Sequence, residues 1–300
     1  MNEEITYLVT SYRCGRYFDD VMASLEAQTS RSWRALVCDD ASPDDSWATL
    51  KSRVAASRAR ANVGLVRNER NLGYVPTLRR LIAESQTDVV GILDGDDALT
   101  PRATDAILSA YAREPRAGFV YSRMERRDAT MGKVLGQHGE AIPPAQTMLQ
   151  SNRIPVMHLR TFRRRLYAET PGLDEAMIYA DDQDLMFKLE ERCRPVFVAE
   201  VLYLQRVRSG SQTHPSSESA AIGRRNLIKA RAAGMRRRGI RGWRYRFAIL
   251  LDWLKYSPDR LNRWVWPLKI PLDACDRQFR IRARGELRRG TWLDDAREGA

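Results

Sequence analysis

The first hundred residues alternate between short apolar runs and amphipathic stretches, and this alternation restricts the fold more than any other feature. The runs predict buried strands, and the stretches between them have the apolar spacing of helices. Strands that alternate with helices are typical of a parallel sheet with crossover helices, so an α/β domain is expected. The predicted strands are 5–9, 35–38, 63–66 and 88–93, and the predicted helices are 16–28, 44–57 and 76–84.

Three carboxylates, Asp94, Asp96 and Asp97, follow the last of these strands within four positions. The carboxyl ends of parallel strands lie at one sheet edge, where open α/β folds bind ligands. Carboxylates this close repel one another unless a cation lies between them. A hard divalent ion that keeps positions open for diphosphate oxygens suits that role. The alternative is a polar turn that caps a helix beginning at Pro101.

Polar loops also follow the first two strands. Thr10-Ser11-Tyr12 comes after the first strand and Asp39-Asp40-Ala41-Ser42 after the second. At the same sheet edge, these loops should form one cleft suited to a nucleotide. The first strand is not followed by GxGxxG, and the chain has no GxxxxGK[ST] motif, which argues against dinucleotide dehydrogenases and P-loop enzymes.

The cysteines and the apolar runs indicate a cytoplasmic protein without an ordinary membrane-spanning helix. The four cysteines are far apart and form no CxxC pair, so neither a zinc site nor a disulfide framework is expected. The acidic start, Met-Asn-Glu-Glu, does not resemble a signal peptide. The longest strongly apolar run, 247–251, is too short to span a bilayer.

Positive charge is concentrated in the last part of the chain. Residues 220–300 contain 21 Lys and Arg against 8 Asp and Glu, a net +13, while the whole chain carries +12. The first 219 residues therefore carry a net charge of −1. A near-neutral body with a basic tail indicates that the tail contacts an anionic partner, such as phospholipid headgroups or nucleic acid.

Five blocks of this sequence resemble, in order and spacing, those of family 2 glycosyltransferases with the GT-A fold. The blocks are Val9-Thr10-Ser11-Tyr12, residues 24–29 before Trp33, residues 37–44, Asn71-Leu72-Gly73, and Leu93-Asp94-Gly95-Asp96-Asp97. The resemblance covers about residues 4–210. It implies a Rossmann-like, mixed but mainly parallel sheet flanked by helices. The basic C-terminal extension lies beyond the resemblance and is expected to be helical from its own sequence.

The resemblance implies a nucleotide-sugar donor, with a UDP-sugar favoured. Tyr12 would stack on the base, Thr10 would hydrogen-bond to it, and Asp40 would accept the uracil N–H. Asp39 belongs to the same nucleotide-binding block, with a structural role favoured. Arg79 is a weaker candidate for phosphate binding, because an exposed helix face accounts for it equally well.

The acidic loop matches the DxD motif of the family. Its carboxylates, Asp94, Asp96 and Asp97, would hold Mg²⁺ or Mn²⁺ against the diphosphate, with Asp96 and Asp97 as the expected direct ligands. Gly95 would leave room for the sugar.

A departure from the family pattern concerns the cations near the diphosphate. A common family arrangement has Arg-x-His in a loop before a serine. At the matching position this chain has Arg206-Val207-Arg208, followed by Ser209. Arginine can hold a diphosphate through bidentate hydrogen bonds but cannot ligate a metal. Arg206 and Arg208 are therefore expected to hold the diphosphate.

A second acidic cluster includes Asp181 and Asp182 and precedes a run of helical periodicity. These carboxylates could simply cap the helix that is predicted to start near Asp182. By resemblance they occupy the position of the family's Glu-Asp pair. Asp182 would then be the catalytic base of an inverting transfer, and Asp181 would be an auxiliary group on the acceptor side.

The tail combines aromatic and basic residues, and helices interrupted at Gly234, Gly239, Pro258 and Pro267 are predicted there. Such helices are typical of segments that lie in anionic headgroups, so residues 222–289 are expected to contact a membrane surface. The alternative is packing on the catalytic domain or on a second subunit of a homodimer, and nucleic acid is the least favoured partner.

Taken together, these features predict a GT-A catalytic domain, 1–215, and a basic, Trp-rich C-terminal region, 216–300. Within the domain, 1–100 would bind the nucleotide and 101–215 would form the acceptor side. The expected activity is inverting, metal-dependent hexosyl or N-acetylhexosaminyl transfer to a cell-surface polysaccharide, lipopolysaccharide or lipid-linked acceptor. The protein would lie on the inner face of the cell membrane as a peripheral protein.

Two alternatives stay open. A nucleotidyltransferase would need a Gly-rich, Lys- or Arg-bearing loop after the first strand, and residues 10–15 match this poorly. A relative that binds membrane or nucleic acid without turnover would not need Asp96, Asp97 and Asp182. The isolated histidines, His138 and His158, lack metal-type spacing and are expected to be satisfied polar groups.

Overall fold

The computed structural model describes residues 4–143, 146–150, 155–208 and 217–239, together with Phe247 and Leu250. Two compact units are present. The first comprises residues 4–141, 156–169 and 195–208, and the second comprises the described residues of 142–155, 170–194 and 217–239. The predicted division at residue 215 is one of function and stays a prediction, whereas these units follow the contacts within the chain.

The first unit contains one mixed sheet and its covering helices. Its strands are β1 (Ile5–Ser11), β2 (Trp33–Asp39), β3 (Val63–Arg67), β4 (Val89–Asp94), β5 (Ala98–Leu99), β6 (Phe119–Arg127), β7 (Val134–His138), β8 (Arg160–Arg163) and β9 (Val196–Arg206), and its helices are α1 (Phe18–Glu26), α2 (Ser46–Ala55), α3 (Tyr74–Glu84), α4 (Ala103–Arg113) and α5 (Arg164–Ala168). The strand order is β3-β2-β1-β4-β8-β6-β9-β5, and β7 pairs with β6. This is the mixed α/β architecture that the sequence predicts.

The half of the sheet formed by β1–β4 is entirely parallel. Parallel strands are covered on both faces, so they read as continuous apolar runs. In β1, Ile5, Tyr7, Leu8 and Val9 are all fully buried. The remaining strands are mixed: β8 is antiparallel to β4 and β6, while β9 is parallel to β6 and antiparallel to β5.

The second unit contains helices α6 (Asp181–Glu190) and α7 (Ser217–Arg237). The interruption predicted at Gly234 is wrong, because α7 continues through it; a Cβ at this position would lie 3.2 Å from Leu149 Cδ1, a close contact that favours glycine. Gly239 follows the helix with a φ of 73°, the left-handed conformation common after helix ends.

The part of the chain that the structure describes contains no helix long and apolar enough to cross a membrane. Most of the predicted membrane-contacting segment, namely 240–246, 248–249 and 251–289, lies outside the described residues, as do Pro258 and Pro267. The described portion of that segment is mainly α7, where Leu227, Ala230 and Met235 are buried, whereas Phe247 and Leu250 beyond the helix are 37% and 49% exposed.

Candidate functional site

The parallel strands bring three polar loops to one edge of the sheet. Thr10 of β1 lies opposite Asp94 of β4, and Ser11 lies opposite Asp39 of β2. Backbone hydrogen bonds continue this alignment beyond the strands, from Gly95 N to Thr10 O at 3.0 Å and from Asp40 N to Ser11 O at 2.8 Å. The loops after β1, β2 and β4 therefore form one continuous polar edge.

Asp97 is held from two directions by β9. Its Oδ2 accepts a hydrogen bond of 2.7 Å from the Tyr203 hydroxyl, and its Oδ1 accepts one of 2.7 Å from the backbone N–H of Arg206. The same tyrosine oxygen accepts a hydrogen bond of 3.1 Å from the Asp94 N–H. Asp97 is 2% exposed. The carboxylate of Asp97 therefore braces the loop.

Asp94 and Asp96, the other two carboxylates of the loop, are half-buried. Asp96 Oδ2 accepts a hydrogen bond of 2.6 Å from Arg208 Nε. Asp94 Oδ2 lies 4.0 Å from His158 Nε2. Because Asp97 is almost completely buried, the structure favours Asp94 and Asp96 over Asp97 as cation ligands.

The two predicted diphosphate arginines have different surroundings. The buried guanidinium of Arg206 donates to Asp96 O at 2.8 Å, to Ala129 O at 2.6 Å and to Asp20 Oδ2 at 2.5 Å. Arg208 is half-buried, and its guanidinium lies 5.1 Å from the centre of the Tyr17 ring. Arg206 therefore resembles a structural support, whereas Arg208 is the better placed to meet a ligand.

Burial and like charges determine the protonation of the acidic loop. Burial, followed by the charges of Asp94 and Asp96, raises the pKa of Asp97 well above its usual value. Burial, followed by the charges of Asp94 and Asp97, also raises the pKa of Tyr203 well above normal, so its hydroxyl stays a donor. Burial, followed by the charge of Arg160, lowers the pKa of His158 well below 6.5, which keeps this imidazole neutral at pH 7.

On the predicted nucleobase side, Tyr12 is 41% exposed, and the guanidinium of Arg13 lies over its ring, 5.4 Å from the ring centre. Thr10 is half-buried at the end of β1. The buried carboxylate of Asp40 accepts hydrogen bonds from Asn68 Nδ2 at 2.7 Å, from Leu72 N at 2.8 Å and from Gly73 N at 2.8 Å. Asp40 therefore fixes the loop that leads into α3.

Asp39 is fully buried beside it and forms an ion pair of 2.9 Å, through Oδ2, with Arg67 Nε. Its other oxygen, Oδ1, is buried and accepts no hydrogen bond from the residues that the structure describes. The predicted structural role of Asp39 is consistent with the ion pair. Arg79, the weaker phosphate candidate, lies exposed on α3.

Gly95 packs against the backbone of β1. A Cβ at this position would lie 2.6 Å from Thr10 O and 3.2 Å from Ser11 Cα. The predicted reason for glycine was space for a sugar. The structure adds another reason, which is the close approach of the acidic loop to β1.

In the second unit, α6 begins at Asp181, one residue before the predicted start. Asp181 is buried and Asp182 is half-buried. Tyr179 and Ala180 precede the helix with φ angles of 63° and 61°, a left-handed conformation that costs energy for residues with a Cβ. Asp182 Oδ1 accepts a hydrogen bond of 2.7 Å from Gln183 N.

The sequence motifs do not include Tyr203, Asn68 or Arg67, which the structure places beside the predicted site residues. Tyr203 lies in an apolar strand, where a tyrosine is expected to pack, and its partner Asp97 is 106 positions away. Asn68 lies three residues before the Asn71-Leu72-Gly73 block. A polar side chain so close to that block was the signal that could have identified it.

Asp94 and Asp96 fit a divalent cation that is shared with a ligand. Mg²⁺ commonly binds one or two protein carboxylates and completes its coordination with water and substrate phosphates. The residues described by the structure contain no group of three metal-ligating side chains, so a closed protein cage is not formed there. After burial, the charges of Asp94 and Asp96 contribute to the raised pKa of Asp97, and a cation would relieve that repulsion.

Two solved structures share this fold. The S. aureus TarS fragment 1-349 in complex with UDP has a TM-score of 0.58 at 14% identity, covering 99% of this chain and 92% of that one. The mannosyltransferase PcManGT from Pyrobaculum calidifontis, in complex with GDP-Man and Mn²⁺, has a TM-score of 0.59 at 16% identity, covering 92% and 74%. At these identities the likeness shows the fold, which is of GT-A type.

Sequence comparison adds the family. Chondroitin synthase of Escherichia coli is 24% identical over 243 residues, which are 80% of this chain and 34% of that protein. The chain thus spans about a third of the length of this relative. Residues 6–170, more than half of the chain, match the model of glycosyl transferase family 2. The chain belongs to this family.

Proposed function

We propose that this protein is an inverting glycosyltransferase that moves a sugar from a nucleotide-sugar to a surface polysaccharide, lipopolysaccharide or lipid-linked acceptor. The observation that carries the proposal is the convergence of three polar loops at one sheet edge, seen in the registers Thr10–Asp94 and Ser11–Asp39. The UDP and GDP-Man bound to the two structural neighbours support a nucleotide-linked donor. The chondroitin synthase supports a polysaccharide acceptor.

In this proposal a UDP-sugar is the donor. Tyr12 stacks on the base with its exposed ring, and Thr10 hydrogen-bonds to it. Each carboxylate oxygen can accept two hydrogen bonds, so Asp40 Oδ2, which accepts the Gly73 N–H, has capacity for the uracil N–H. Asp39 supports this loop through its ion pair with Arg67.

The diphosphate lies at the acidic loop in this proposal. Asp94 and Asp96 hold Mn²⁺ or Mg²⁺, which neutralises the charge on the departing diphosphate when it is bound. Arg208 adds a second positive group and can donate bidentate hydrogen bonds to phosphate oxygens. Arg206 and Asp97 hold the loop in place.

Asp182 is the proposed catalytic base. It takes the proton of the acceptor hydroxyl while that oxygen attacks the anomeric carbon from the side opposite the diphosphate, which inverts the configuration. A half-buried carboxylate in the first turn of a helix is suited to this role, because an acceptor can reach it and the helix N-terminus favours negative charge.

The test is UDP or GDP release from a panel of UDP- and GDP-sugars with Mn²⁺ and with oligosaccharide and lipid-linked acceptors. Asp182→Asn should lower acceptor-dependent release about 10²- to 10⁴-fold without weakening UDP binding. Asp174→Asn, which changes an exposed carboxylate in the same unit, is the matched control and should behave as the wild type. Unchanged turnover in Asp182→Asn would remove it as the base.

The location at the inner membrane face also belongs to this proposal. Its support is the basic, aromatic tail, in which Leu227 and Met235 of α7 are buried, whereas Phe247 and Leu250 are 37% and 49% exposed. Membrane contact is therefore assigned to residues beyond 239. A homodimer formed through the same tail is the alternative.

A further inference from the structure

Tyr203 lies in β9, fully buried, with Leu99 of β5 and Met124 of β6 as its neighbours across the sheet. Its ring stacks on His158, with the ring centres 4.5 Å apart. These contacts hold the tyrosine in one orientation. Its hydroxyl, the polar end of an otherwise apolar side chain, reaches the acidic loop that follows β4.

That hydroxyl is shared by two residues of the loop. It donates to Asp97 Oδ2 at 2.7 Å and accepts the Asp94 N–H at 3.1 Å. Asp96 lies between them in the chain. One buried group therefore fixes both ends of the segment that carries the proposed cation ligands, so the spacing of Asp94 and Asp96 depends on Tyr203.

The end of β9 contributes to the same arrangement. The Arg206 N–H holds the second oxygen of Asp97 at 2.7 Å, and Arg206 Nε donates to Asp96 O at 2.8 Å. These contacts come from β9, which is more than 100 positions away in the chain. The strand therefore shapes the acidic loop without supplying a proposed cation ligand.

We propose that Tyr203 is a positioning residue for cation and diphosphate binding, acting through Asp97 and the Asp94 backbone. This inference rests on the proposed function, because it assigns Tyr203 to the site that binds the donor. Groups that orient metal ligands typically change metal affinity about 10- to 100-fold when they are removed. A tyrosine that only filled the core would have no such effect.

The experiment is a Mn²⁺ titration of UDP binding, measured by calorimetry on the full chain. Tyr203→Phe keeps the ring and removes the hydroxyl. Tyr121→Phe is the matched control, since this buried tyrosine of β6 donates to Glu140 O at 2.8 Å. The Mn²⁺ concentration for half-maximal UDP binding should rise about 10- to 100-fold in Tyr203→Phe and stay unchanged in Tyr121→Phe. Thermal unfolding of both variants separates stability from binding.

A double-mutant cycle with Asp97→Asn tests the route of the effect. If Tyr203 acts largely through Asp97, the double variant should bind UDP and Mn²⁺ little worse than Asp97→Asn alone, because the shared interaction is lost only once. Fully additive losses would overturn this route. If Tyr203→Phe folds poorly, Asp97→Asn tests the same hydrogen bond by changing its acceptor.

The failures of the two proposals can be told apart. If the wild type binds UDP with Mn²⁺ and Tyr203→Phe matches it, the positioning role is wrong and the donor site stands. If the wild type shows no Mn²⁺-dependent binding of UDP or GDP, the donor site and the positioning role are both wrong.

Discussion

Gly95 is the residue at which the acidic loop and β1 come closest, since a Cβ there would lie 2.6 Å from Thr10 O. We predict that Gly95→Ala pushes the loop away from β1, lowers the free energy of unfolding by about 1–3 kcal/mol, and abolishes Mn²⁺-dependent UDP binding. Urea unfolding and calorimetry measure the two effects.

The control for this prediction is Gly132→Ala. Gly132 is exposed, and the nearest atom to its added Cβ, Thr130 Oγ1, would be 3.4 Å away. Its unfolding free energy should change by less than about 0.5 kcal/mol. Equal behaviour of the two alanine variants would show that the contact at Gly95 does not constrain the loop.

The three carboxylates of the acidic loop show what can be predicted at the scale of single residues. Their position after an apolar strand predicts an acidic site, and the structure places them at the sheet edge. Their separate roles could not be predicted, because Asp97 is distinguished by Tyr203 and Arg206, which are 106 and 109 positions away. A local motif therefore predicts the place of the site but not which carboxylate braces it.

At the scale of elements, α1 and α2 are joined through Glu26. Its oxygens accept hydrogen bonds of 3.1 Å each from Arg53 Nη1 and Nη2, and one of 2.5 Å from Ser57 Oγ. The Arg53 hydrogen bonds lower the pKa of Glu26. Partial burial opposes this shift, and the Ser57 hydrogen bond adds to it. The ionised form therefore stabilises the contact between these helices.

We predict that Glu26→Gln lowers the free energy of unfolding by about 1 kcal/mol at pH 7. Because the folded pKa lies below the unfolded value of about 4.3, this contribution is complete above that pH and is lost as the pH falls through the folded pKa. Urea unfolding at several pH values measures it. A difference that persisted undiminished at the acid end would contradict the assignment to the ionised carboxylate.

Glu84→Gln is the matched control. Glu84 pairs with Arg80 within α3, and the side chains of Arg80 and Glu84 are 34% and 39% exposed. Its loss should be about 0.2–0.5 kcal/mol.

A buried ion pair joins α6 to the residue that follows α7. Arg238 Nη2 lies 2.9 Å from Glu190 Oε2, and their side chains are 3% and 0% exposed. Burial raises the pKa of Glu190, while the charge of Arg238 opposes that rise. We predict that Arg238→Met leaves the carboxylate without this partner and destabilises the second unit by about 3 kcal/mol.

Hydrogen exchange measures this effect locally, because the loss of protection should appear in α6 and α7 and not in β1–β4. Arg237→Met is the control. Its ion pair with Glu191, 2.8 Å from Arg237 Nε, is less buried, with side chains 27% and 16% exposed, so the loss should be below about 1 kcal/mol. Equal losses in both variants would contradict the importance of burial.

The elements of the first hundred residues could be predicted from periodicity because each is a local pattern. The strands and helices there begin and end within a few residues of the predicted limits. The break expected at Gly234 was wrong, since glycine is tolerated inside a helix where a neighbour such as Leu149 packs closely. Tertiary contact decided that position, and no local signal reports it.

At the level of the whole molecule, the residues with proposed roles belong to two units, each formed by several separate segments of the chain. The residues proposed to bind the donor belong to the first unit, and the proposed base, Asp182, belongs to the second. The two groups of residues could be predicted from motifs of the family. The supports of the acidic loop could not be predicted, because Tyr203 and Arg206 of β9 lie more than 100 positions away in the sequence.

The central claim is that the strand ends of β1, β2 and β4 form a metal-dependent site for a nucleoside diphosphate. Calorimetric titration with UDP, with GDP for comparison, with and without Mn²⁺, tests it most directly in the wild type and in Asp96→Asn. We expect UDP to bind in the presence of Mn²⁺, and its affinity to fall at least about tenfold without the metal or in the variant. UDP binding that is indifferent to both Mn²⁺ and Asp96, or no binding of either nucleotide, would contradict the account.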